Sequence, residues 1–148
     1  MSGEYEILSN DLKIISKLEE VLTTAGFVLV THRQLDISEI EDDDFDAVII
    51  KPSSSTQKFL NNGQADAEWR IALGVCTMKG ECETASQNLY EKMALVNRTI
   101  ASDRTLNGLV LDMKVLGRNR DLTVYEPFAY GTVDLTIRYR FNERTEGG

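Results

Sequence analysis

The chain is poor in the residues on which much small-protein chemistry is built. It carries one histidine, His32, and two cysteines, Cys76 and Cys82. With His32 distant in sequence and no second cysteine pair, a zinc-type site has no ligand set. The two cysteines read as reduced thiols of a cytosolic protein, and a disulfide between them is not required. His32 follows an apolar stretch and reads as a surface or half-buried structural residue, because geometry rather than residue type qualifies a general base. The glycines form no G-x-G-x-x-G and no P-loop, so a glycine cradle for phosphates is excluded. A G-x-S-x-G nucleophile turn is also missing. No apolar run approaches the roughly 20 residues that cross a bilayer. The start, Met1-Ser2-Gly3-Glu4-Tyr5-Glu6, is acidic and polar, unlike a signal peptide, which predicts a protein that stays in the cytoplasm where it is made.

What is present is ordinary globular composition, 42% hydrophobic and 27% charged over 148 residues. That length suits one domain spanning the chain, and it buries roughly 68–70% of the unfolded surface. A core is therefore expected without disulfides or metals. The net charge of -8, with a pI near 4.7, opposes general binding to nucleic acid or anionic membranes. It also favours solubility.

Apolar spacing predicts a helix over Asp11 to Thr24, with Leu12, Ile15, Leu18 and Leu22 in one stripe, a cap from Asn10 or Asp11, and a stop at Gly26. A short strand, Phe27 to Val30, follows. An acidic segment from Asp36 to Asp46 reads as a loop, and Ala47 to Ile50 as a buried strand ended by Pro52. Polar residues between Lys51 and Ala67 predict a flexible hairpin arm turning at Asn61-Asn62-Gly63. From Glu68 to Thr77 the alternation is clean, with Trp69, Ile71, Leu73 and Val75 to one side and Arg70, Ala72, Gly74 and Cys76 to the other. Gly74 marks a bulge or a close approach by another backbone. A second helix is expected from Glu83 to Ser102, then a turn plugged by Leu106 and a strand from Leu109 to Val115. A partner strand should begin near Leu122, with Pro127 at its edge. The last strand places Val133, Leu135, Ile137, Tyr139 and Phe141 inward. Residues 1–6 and 143–148 read as disordered ends. The order predicts an α+β fold: a mainly antiparallel sheet with two helices on one face, plus a projecting hairpin arm.

Two charged groups stand out as interface candidates. Glu41, Asp42, Asp43 and Asp44 crowd into the acidic segment, without the spaced ligands and turn glycine of a calcium loop. They read as a solvated loop or as a charged lip for a basic partner. Arg118 and Arg120 flank a polar turn. They solubilise it or contact an acidic neighbour, such as the acidic loop of an identical subunit, which would orient association more than it would tighten it. No residue is assigned a catalytic, metal or cofactor role, and no cofactor is expected.

The stretch from Glu83 to Phe141 resembles the tail terminator proteins of long-tailed phages, the family that includes the lambda-type minor tail protein U. The likeness rests on an amphipathic helix, the segment Ser102-Asp103-Arg104-Thr105-Leu106-Asn107-Gly108-Leu109-Val110, a strand and turn, and the ending Gly131-Thr132-Val133-Asp134-Leu135-Thr136-Ile137-Arg138-Tyr139. The early helix agrees in element order. The resemblance implies a non-enzymatic virion protein, assembled in the host cytoplasm and placed at the tail–neck junction. It implies a hexameric ring that caps the tail tube, ends tube polymerisation and presents a surface to the head connector. DNA would pass the pore only transiently, along a lumen whose carboxylates repel phosphate, and no membrane is involved. A different neck or tail-completion protein and a small bacterial α+β binding or adaptor module are the alternative readings. An enzyme built from carboxylates at a subunit boundary is a third, with no constellation behind it.

Overall fold

The computed structural model describes residues 10–33, 39–119 and 127–142. The elements are α1 (Asn10–Ala25), β1 (Leu29–Thr31), β2 (Ala47–Phe59), β3 (Gln64–Thr77), α2 (Ala85–Ser102), β4 (Asp112–Asn119) and β5 (Ala129–Asn142). The strands form one sheet in the order β1-β2-β3-β5-β4. Among the described strands β1 and β2 run parallel and the other pairs are antiparallel. The α+β architecture expected from the sequence is what the chain adopts.

Local chemistry explains the boundaries. Asp11 sits in the first turn of α1, where a carboxylate meets the positive end of the helix dipole, and it accepts a hydrogen bond from the Tyr139 hydroxyl. Gly26, at φ +124°, closes the helix: its N–H and that of Phe27 return to the carbonyls of Thr23 and Leu22. Phe27 is buried in that stop rather than extended, so β1 begins later than the apolar run suggests. Thr84 caps α2, its hydroxyl accepting from the Gln87 N–H at 3.0 Å.

Both helices cover one face of the sheet. Ile14, Ile15, Leu18 and Leu22 of α1 and Leu89, Met93, Val96 and Ile100 of α2 join Val48, Ile50, Trp69, Ile71, Leu73, Val75 and the inward side of β5 in one cluster. Burying each such side chain contributes about 1.5–3 kcal/mol. A second, small cluster lies on the opposite face at one end of the sheet, where Ile40 and Phe45 cover Ala47, Ile49 and Cys76.

Three expectations change. Pro52 does not end β2, which continues to Phe59. β1 pairs as far as Ile49, so among the described residues β2 is an edge strand from Pro52 onward, a position where proline is tolerated. A register shift between Pro52 and Ser55 absorbs the ring. The arm is a hairpin turning at Asn61–Gly63, as expected, but β5 backs β3 along its whole length, so the hairpin extends the sheet. β4 starts at Asp112 and runs to Asn119, because Leu106, Asn107 and Gly108 all take positive φ and prolong the turn before it. Leu106 plugs that turn as predicted, 1% exposed. The strand expected near Leu122, the terminal segments 1–6 and 143–148, and Arg120 lie outside the described residues.

Candidate functional site

Among the described residues, the face of the sheet turned away from the helices is covered only at its β1 end. Elsewhere it is polar. Alternation along the strands places Lys51, Lys58, Arg70, Lys114, Arg138 and Arg140 on it, with Asp66, Glu68, Asp112 and Asp134 between them. The pairing is a ladder of opposite charges: Lys58, Asp66 and Arg140 stand in one row, and Glu68, Arg138 and Asp112 in the next. Shallow cavities of about 340, 300 and 230 Å³ lie along this face.

The best-made contact is the fork of Arg140 on Asp66, 2.7 Å from Nε to Oδ1 and 3.2 Å from Nη2 to Oδ2. That hydrogen bond, with help from the charges of Arg138 and Lys58, holds the Asp66 carboxyl below the usual carboxylate range. What the pair contributes is therefore present at neutral pH and fades as pH falls through the lowered value. Lys51 donates to the Tyr130 hydroxyl at 2.6 Å. Its 5.0 Å distance to the ring centroid puts the ammonium beyond that hydroxyl, not over the ring, so the contact is a hydrogen bond rather than a cation–π pair. Tyr130 in turn lies across Gly74, where a Cβ would meet its oxygen at 2.7 Å. The close approach at this glycine is thus made by a side chain, not by the second backbone expected there.

The acidic segment sits at one end of the sheet. Asp42–Asp44 form a single 3-10 turn with Glu41, Asp42 and Asp43 exposed and Asp44 half-buried. Phe45 stacks on Phe128 with centroids 5.4 Å apart. Asp46 accepts from Asn88 Nδ2 at 2.9 Å and lies 3.7 Å from Lys92 Nζ. The tail of the segment is thus fastened to α2. Arg118 lies at the exposed end of β4, three strand spacings from β2, or about 14 Å across the sheet. One chain does not bring Arg118 and the four acids together.

Sequence reasoning missed Asn88. It lies in the buried stripe of α2, 5% exposed, and its amide also donates to the Met78 carbonyl at 2.8 Å. A polar residue three positions after Ala85 in an otherwise apolar stripe is the signal that marks it.

Cys76 and Cys82 are both free thiols. Burial pushes the Cys76 thiol up to about 12, with Lys51 acting weakly the other way. Since the thiolate is the nucleophile, a thiol reagent at pH 8 is expected to modify half-buried Cys82 and spare Cys76 until the chain unfolds. Equal rates at the two positions, read by peptide mass, would show that β3 opens in the native state. His32 Nδ1 lies 3.6 Å from Glu19 on the surface. Among the described residues no three His, Cys, Asp or Glu side chains are grouped to hold a metal ion, and no helix is long and apolar enough to cross a membrane. No protein-family model matches the chain, and no curated protein matches it in sequence.

Proposed function

We propose that this chain is a phage tail-assembly protein of the terminator type: a ring that caps the tail tube, ends its polymerisation and offers the head connector its seat. The observation that carries the reading is a pair of unlike charged surfaces. One sheet face carries six cations interleaved with four carboxylates, and a fastened turn at one end holds four carboxylates and no cation. Two unlike patches on one molecule favour heterologous contact, and a heterologous contact with the right rotation closes a ring. The resemblance of Glu83 to Phe141 to tail terminators supplies the identity of the ring. Its action is steric: a closed ring on the tube end leaves no site for the next tube subunit.

Light scattering over a concentration series, with negative-stain images of the same samples, tests this. A particle of about six copies with a central hole is expected. A mass that stays at 16.6 kDa at every concentration counts against the ring.

A further inference from the structure

We propose that the acidic turn of one copy docks on a cationic strip across β3, β5 and β4 of the next, centred on Thr136. This rests on the ring reading and names its contact. Arg70, Thr136 and Lys114 lie side by side in register, with Arg138 two residues along β5 on the same face. Arg70 and Lys114 are exposed, and neither they nor Arg138 make an ion pair among the described residues. Thr136 is only 9% exposed, and its hydroxyl oxygen is buried with no hydrogen-bond partner among the described residues. It lines the 230 Å³ cavity together with Lys114, Arg138 and Leu116. Of the two carboxylates there, Asp112 is already held by Arg104 at 2.9 Å, which leaves Glu68 facing the cations.

A buried hydroxyl without a partner, beside three cations that share Glu68 and the already engaged Asp112, is a set of donors short of acceptors. A carboxylate only accepts, so it satisfies the hydroxyl and the cations together. The occupant is the Glu41–Asp44 segment of a second copy, for three reasons. Every copy carries it, exposed and anchored through Asp46 and Phe45. The net charge of -8 works against a nucleic-acid phosphate as the ligand. The segment also covers the sheet near Cys76, six residues along β3 from Arg70, roughly 20 Å away, so it cannot reach its own strip. The contact is therefore made between copies, and it is head-to-tail.

A charge swap tests this in the full chain. Arg70→Glu with Lys114→Glu reverses the strip, and Asp42→Lys with Asp43→Lys reverses the turn. Each double variant alone is expected to raise the concentration for half-assembly more than tenfold, since opposed like charges are strongly unfavourable. Mixing the two variants should restore rings, because each then meets the other's complementary patch. Restoration also shows that both variants fold. Thr136→Val, which keeps the shape and removes the hydroxyl, should weaken assembly several-fold. If wild type forms rings and both double variants form them at the same concentration, this contact is wrong and the ring reading stands. If wild type never assembles, both fall. If the strip reversal abolishes binding of duplex DNA while assembly is unchanged, the strip is a nucleic-acid surface and the proposal is overturned.

Discussion

Leu73→Ala is expected to lower the stability of the chain by about 2–5 kcal/mol, as for other large-to-small changes in a packed core. Leu73 is fully buried at the middle of β3, level with Ile50 on β2 and Val133 on β5, and all three point under the helices. The neighbours on both sides are held by ladder hydrogen bonds, so they cannot close the void by moving inward. A chain of this size has on the order of 5–15 kcal/mol in total, so the loss takes a large share of it. Denaturant titration should show a lower midpoint with an unchanged slope. A loss under about 1 kcal/mol would mean that α2 settles onto the sheet at this point, against the packing described.

The same residue shows how much of the fold the sequence carried. Alternation alone places Leu73 on the buried side of its strand, and likewise Val133, Leu135, Ile137, Tyr139 and Phe141 on β5. Period-2 patterning is an unambiguous signal where one face is apolar and the other charged. The outer half of β2 was not legible, because Pro52-Ser53-Ser54-Ser55 has the composition of a loop. Its extended form comes from β3 across the ladder, a long-range cause that local propensity does not contain. The candidate surface was legible in part. Four acids in a row announce themselves, and their exposure follows from the cost of burying charge. The strip around Thr136 does not announce itself, since Arg70, Thr136 and Lys114 come from three strands and meet only through register. Arg118, conspicuous in the sequence beside Arg120, lies at the opposite flank of the sheet from the acids. Linear spacing says nothing about which edge a turn occupies.

Asn88 is the position where stability and the acidic turn are joined, and Asn88→Leu is expected to cost about 2–4 kcal/mol. The leucine fills much the same space but cannot donate. It leaves the Met78 carbonyl and the Asp46 carboxylate without the amide that now bonds both. Lys92, at 3.7 Å, is too far to replace a hydrogen bond. The turn should then loosen from α2, and amide exchange over residues 40–46 should quicken while that of β3 and β5 changes little. Asn88→Asp separates the two effects. It keeps the shape but sets a second carboxyl against Asp46, and like charge raises the folded value of the new group above its unfolded one. The penalty is therefore full at neutral pH and shrinks as pH falls through the raised value, where the protonated carboxyl donates again. A variant that is relatively more stable at mildly acidic pH than at neutral pH, compared with wild type, is the expected result. The same penalty at both would place the cost in packing and detach the acidic turn from this amide.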